Sequence, residues 1–366
     1  MSSVGVPARR RRTYLDWLRG IAVLLMIGAH LFDSWVHAGD RQTFLFRVAI
    51  AVGGMGTAFF LMLSGASAAL SAGSKYRRSG DATAATIAVA KHGAFIFLLA
   101  FVFRVQALVL GGSSSLTDLL TVDILNIMGP SVVFTAFLWR LPRTTQGKAV
   151  VMGTAAIVTS LATPLIRTLP LGFLPDPLEA YIVPVPGVSN FVFFPWMGLA
   201  FAGGIIGVLI DETHGPERER RLIVAMGTAG ALVAAVALGA SYLPSPFPGS
   251  SFWTSSPSYF FIRAGLVTIG VALAYAWSAS RNPPDRWSPI LQLGQTSLFI
   301  YWIHVEMVYG LISRPLHQAM SLRQAAVGYV LFSALMLICA VGKERVRAIY
   351  SGSGGETLQD GRRITS

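Results

Sequence analysis

The chain has 366 residues, 53% hydrophobic and only 13% charged, with a mean hydropathy of +0.59. Soluble domains carry about a quarter charged residues, so this composition excludes an ordinary soluble globular protein and points to a lipid bilayer. The net charge of +12 does not signal nucleic acid, because the basic residues sit in short loops between long apolar runs. The single cysteine, Cys339, excludes an intrachain disulfide and a cysteine-based metal cluster.

The N-terminal arginines, Arg9 to Arg12, resemble the start of a signal peptide, but the apolar stretch after them is too long and no small-residue cleavage site follows. An uncleaved first span is expected. A bilayer core takes about 20 mostly apolar residues per helix. That window predicts spans at 14–37, 49–72, 84–110, 117–139, 148–168, 190–210, 221–243, 258–279, 288–313 and 322–342.

With a cytoplasmic N-terminus, 20 basic residues fall in loops or termini predicted inside and 4 in loops predicted outside, as the positive-inside rule requires. The expected fold is therefore all-α, a polytopic transmembrane helical bundle of about ten spans with both termini cytoplasmic. Residues 1–12 form a basic cytoplasmic N-terminus, 13–348 the transmembrane domain and 349–366 a disordered cytoplasmic tail. Two proline- and aromatic-rich outer loops, beginning at Pro170 and Pro244, are expected to fold over the outer mouth. No internal repeat is visible, which disfavours the repeat-built transporter folds.

The first span, LDWLRGIAVLLMIGAHLFDSW, carries ionisable groups that hydrocarbon does not tolerate singly. At 100° per residue, Asp16, Arg19, His30, Asp33 and His37 fall at about 60°, 0°, 20°, −40° and 0°, one stripe of about 100°. Arg19 and His30 are eleven residues apart, hence ~16 Å along the axis. The plain alternative is that Arg19 snorkels to the interface, Asp16 pairs with it and His30 bonds a carbonyl. A functional stripe instead lines a cavity wall. There a neutral imidazole can take a proton from a hydroxyl or amine, and Asp33, three residues on, is placed to orient it.

Further along, Arg104 needs an anion, either a carboxylate such as Asp123 or a ligand phosphate, and Asp123 shares a face with Asn126. In the ninth span Ser297, Tyr301 and His304 share one face, while Glu306 projects elsewhere. A second intramembrane histidine suggests a shared polar cavity. No Walker-type glycine loop, Gly-x-Ser-x-Gly elbow or His-Glu-x-x-His site occurs, and no metal is expected.

At these residues the sequence resembles the transmembrane acyltransferase superfamily. LDWLRGIAVLLMIGAH is similar to the first-span motif of the acyltransferase-3 family, arginine then ten residues then histidine, here Arg19 and His30. FFLMLSGASAAL resembles its Phe-rich Ser-Gly motif through Ser64 and Gly65, although Leu61 replaces the motif phenylalanine. SLFIYWIH resembles its late Tyr-x-x-His signature through Tyr301 and His304. VDILNIMGPSVV and NFVFFPWMGLAFAGGIIG look more like the catalytic domain of the heparan-alpha-glucosaminide N-acetyltransferase family.

The resemblance covers about residues 13–313. It implies a multi-pass protein of the bacterial inner membrane that moves an acyl group, acetyl, from cytoplasmic acyl-CoA to a sugar or other hydroxyl or amine acceptor across the bilayer. Arg19, with Asp16 and Arg104, would serve the donor. His30 would activate the acceptor or carry the acyl group, with Asp33 beside it and His37 as its rival. Ser64, Tyr301, His304 and Asp123 would line the cavity. Acyl-CoA, the lipid bilayer and the acceptor are the partners, with no nucleic acid. The alternative is a proton-coupled transporter or exporter of a small or lipid-linked solute, which would spread its relays over several helices.

Overall fold

The computed structural model describes residues 12–110, 116–281 and 287–360. Arg9, Arg10, Arg11, Arg286, Arg362 and Arg363, counted among the cytoplasmic positives, lie outside the described residues. The described chain is helical, with only two isolated bridges, Val36 to Met320 and Val122 to Ser189. In order the helices are α1 (Thr13–Trp35), α2 (Phe44–Ser79), α3 (Ala82–Leu110), α4 (Ile124–Arg140), α5 (Thr145–Ile166), the single turn α6 (Asp176–Glu179), α7 (Phe193–Glu212), α8 (Pro216–Ala240), α9 (Pro257–Ala279), α10 (Pro289–Gln295), α11 (Ser297–Tyr309) and α12 (Leu322–Asp360).

Among the described residues, eight helices are long and apolar enough to cross a bilayer. The shorter α4 and the split pair α10–α11 lie where the fourth and ninth spans were expected. This is a polytopic helical bundle. The boundaries follow local chemistry. Thr43, Thr144 and Ser288 cap α2, α5 and α10 by accepting from the backbone N–H three residues on, at 3.3, 3.1 and 3.1 Å. Pro216, Pro257 and Pro289 start α8, α9 and α10, where the missing N–H costs nothing. Gly80, at φ 69°, stops α2 in the left-handed conformation.

Several boundaries differ from expectation. The first helix ends at Trp35, because the chain turns extended at Val36 and Arg41 covers the final carbonyls, donating to Asp33 O and, at 3.0 Å, to Val36 O. His37 therefore leaves the helix and its stripe. The fourth helix starts at Ile124, so Asp123 is its N-cap and not a mid-span residue. The ninth span breaks at Thr296, whose hydroxyl donates to Gln292 O at 2.9 Å. The last helix runs to Asp360, through much of the segment expected as a tail.

Of the eight long helices, α1 and α7 are the inner ones, with 56% and 61% of their apolar windows buried against a third or less in the other six. α1 is enclosed by α2, α9, α10, α11 and α12. α7 packs into α2 so closely that a Cβ on Gly65, Gly203 or Gly207 would overlap the carbonyl of Ala200, Met62 or Ala66, respectively. This is the small-residue packing by which membrane helices gain dispersion contact without a hydrophobic drive. On the inner half of α1 the same device recurs, with Gly20 against Ile290 and Gly294 against Asp16.

The α2–α7 contact supports the whole bundle. Gly203→Leu is expected to lower stability by about 1–3 kcal/mol through overpacking, read as a reduced midpoint of thermal unfolding in detergent. Gly54→Ala, whose added Cβ meets open space, should not lower the midpoint.

Candidate active site

The outer half of α1 meets α11 through two imidazoles. His30 Nδ1 lies 2.9 Å from His304 Nε2, with the rings almost parallel. His304 is fully buried, and its Nδ1 lies 2.8 Å from the carbonyl of Ile300 one turn back. A carbonyl accepts only, so Nδ1 of His304 carries a proton. For neutral rings this leaves Nε2 of His304 as an acceptor, which requires the proton on Nδ1 of His30. One arrangement of neutral rings satisfies both contacts, and it leaves Nε2 of His30 with a free lone pair.

Tyr309, at the end of α11, packs its ring edge against His30 with centroids 5.6 Å apart. Its hydroxyl donates to Asp33 at 3.0 Å. Asp33 is thus tied to Tyr309, and His304, not Asp33, is the hydrogen-bonded partner that orients His30. The stripe angle placed both groups correctly, but an aspartate one turn onward on the same helix is held by a neighbouring helix instead.

His30 and Asp33 open onto a cavity of about 490 Å³, within the range of small-molecule sites. Its walls come from α1, α2, α3, α4 and α11, and Asn190 and Phe191 close it from the loop before α7. That loop is held by Val122, whose N–H donates to Val188 O at 2.8 Å and whose carbonyl accepts from Asn190 N at 3.0 Å. The first proline-rich loop thus reaches the mouth as expected; the second, before α9, supplies no lining residue. Under the positive-inside topology the chamber lies in the outer half of the bilayer.

Arg104 of α3 forms an ion pair with Asp123, and Asn190 donates to the same carboxylate at 2.7 Å. Asn126 accepts from the Asp123 backbone N–H at 2.9 Å, fixing the start of α4. Arg104 and Asp123 both line this chamber, so Arg104 stands there and not beside Arg19, with which it was expected to act. Tyr301 lines the wall, in ring contact with His304 at 5.9 Å. Glu306, expected on a different face from Ser297, Tyr301 and His304, lines the chamber as well. The chamber is broader than the face of α11 carrying Ser297 and Tyr301. Its lining wraps from Ser297 round to Gly310 and takes in Glu306 on the way.

The inner end of the stripe is a separate cluster. Asp16, buried at the start of α1, accepts from Arg19 at 2.6 Å, and Arg19 also donates to Ser67 of α2. Ser67 was not singled out from sequence; its place one turn beyond Ser64 is the available signal. Ser64 bonds its own helix, donating to Leu61 O at 2.8 Å, and lines no part of the chamber. Arg19 and His30 share a face of α1 but not a cavity. The chamber reaches down α1 to Met26, and between Met26 and Arg19 the fully buried Ala22 and Val23 form a packed layer of ~10 Å. His37 lies outside both clusters, half-exposed and 3.4 Å from Asp40.

The arginine of the first helix and the imidazole eleven residues beyond it thus lie on α1, and the late tyrosine and histidine on its neighbour α11. The model of an acyltransferase domain, that of the acyltransferase-3 family, matches residues 12–344. The chain belongs to the acyltransferase-3 family. It is an integral, multi-pass membrane acyltransferase of that family. No curated protein matches the chain. Among the described residues, no group of three or more His, Cys, Asp or Glu could hold a metal ion.

Removing one partner of a partly buried ion pair strands the other. Arg104→Met is therefore expected to cost about 3 kcal/mol, and Arg104→Met with Asp123→Leu distinctly less, as measured by thermal unfolding of the purified variants.

Proposed function

We propose that the chain transfers an acetyl or similar short acyl group from cytoplasmic acyl-CoA to a sugar-like hydroxyl, or an amine, presented on the outer side of a bacterial inner membrane. The reading is carried by the hydrogen-bond chain Ile300 carbonyl, His304, His30. It leaves Nε2 of His30 as the lone-pair nitrogen of an imidazole at the chamber wall.

In the transfer, Nε2 of His30 takes the proton of the acceptor hydroxyl while its oxygen attacks the thioester carbonyl carbon. The carbon–sulfur bond then breaks, the sulfur leaves with the pair of electrons, and the His30 proton returns to it. Ester and free CoA thiol are the products. While His30 holds the proton, His304 accepts from its Nδ1–H and Asp33 supplies negative charge one turn away. Tyr309, edge-on to the His30 ring, acts as a positioning residue.

Arg19 suits the donor end. Under the positive-inside topology it stands at the cytoplasmic side of α1, held by Asp16 and Ser67 with its side chain partly exposed, and a guanidinium is the group suited to phosphate contacts. The nucleotide end of CoA would stay there, with the acyl arm extending across the Ala22–Val23 layer toward His30.

Membranes containing the protein, supplied with labelled acetyl-CoA, should label an acceptor. His30→Ala should lower that rate about 10²–10⁴-fold, the usual worth of a general base. His304→Ala should lower it about tenfold through loss of one positioning hydrogen bond, and His37→Ala should match wild type. Wild-type membranes that label nothing while the protein moves a solute would sink the enzyme reading in favour of a transporter. Separately, Arg19→Ala should raise the acyl-CoA concentration needed for half-maximal rate; an unchanged dependence removes Arg19 from the donor site.

A further inference from the structure

The outer chamber is lined by three carboxylates, Asp33, Asp123 and Glu306, against one guanidinium, Arg104. Two of the carboxylates are already engaged: Asp123 by Arg104 and Asn190, and Asp33 by Tyr309. The carboxylate of Glu306 hydrogen-bonds no described residue, although it is half-buried in α11 at the chamber wall. Unmatched polar groups at such depth are costly and are kept for a reason.

We propose that Glu306 is a specificity residue, and that the chamber takes an uncharged polyol whose hydroxyls donate to this carboxylate while acceptors carrying a carboxylate or phosphate near the reacting hydroxyl are turned away. The inference rests on the acyl-transfer reading for the reaction but concerns binding alone. Three observations carry it. With Arg104 and Asp123 cancelling, Asp33 and Glu306 leave the space net negative, which repels anions across a low-dielectric wall. Carboxylates accept only, so an occupant must bring donors, and a polyol brings several. The remaining wall includes Phe60, Phe103, Met128 and Phe191, apolar surface suited to the C–H faces of a ring.

The test uses the full chain purified in detergent, titrated with methyl glucoside, the matching methyl glucuronoside and methyl glucosaminide, with binding read from intrinsic tryptophan fluorescence. Wild type should bind the glucoside at least tenfold more tightly than the glucuronoside, about 1.4 kcal/mol. Glu306→Gln should narrow that gap to threefold or less, and Glu306→Asp should preserve it, with unfolding midpoints confirming that both variants fold.

Equal binding of glucoside and glucuronoside by wild type overturns the proposal, as does a tenfold gap that persists in Glu306→Gln. A glucosaminide bound tenfold more tightly than the glucoside replaces the polyol with an ammonium-bearing acceptor and so also overturns it. Failure to bind any of the three overturns it too, while labelling of membrane acceptor by acetyl-CoA would show the acyl-transfer reading intact.

Discussion

A helix bearing Asp16, Arg19, His30 and Asp33 survives in hydrocarbon only where protein surrounds it, and the packing of α1 meets that demand as far as His30, leaving Asp33 exposed at the outer end. Toward the inner end, α10 presses on it so closely that Gly20 and Gly294 leave room for nothing larger. Toward the outer end α11 replaces α10, and the contact changes from backbone against backbone to imidazole against imidazole. The break at Thr296 makes this change possible. A continuous helix held at the inner distance would drive the side chains of α11 into α1. Release at Thr296 opens the space that His304, Tyr301 and the chamber occupy. Arg104 of α3, Asp123 at the start of α4 and Glu306 of α11 then face the space that this release opens.

Much of this was legible in the sequence, because bilayer thickness and the cost of buried charge impose strong local signals. Runs of about 20 apolar residues placed the helices, and the 100° period put Arg19, His30 and Asp33 on one face. The Arg104–Asp123 pairing followed from the same cost, since a buried guanidinium must find an anion. What sequence could not supply was the relation between helices. The meeting of His30 with His304 joins residues 274 positions apart, and no periodicity within either helix predicts it. The removal of His37 from the stripe depended on Arg41 capping α1 from the following loop. The facing of Glu306 depended on the chamber being wider than one face of α11. The inner partner of Arg19 was missed for a related reason: Ser67, a small hydroxyl on a lipid-length helix, is unremarkable until another helix brings a cation to it.

The Ala22–Val23 layer has an electrical consequence. Under the positive-inside topology, water and solutes reach the chamber from outside down to Met26, and the cytoplasm is in reach of the Arg19 cluster. Much of the membrane voltage then falls across the ~10 Å between them instead of the ~30 Å of an unbroken bilayer core. A charge forced through that layer does nearly the full work of crossing the membrane, about 2.3 kcal/mol per 100 mV, concentrated into two turns of helix. An uncharged chain does none. The layer therefore discriminates by charge: a neutral group entering it meets only the packing, while a charged one meets the voltage as well.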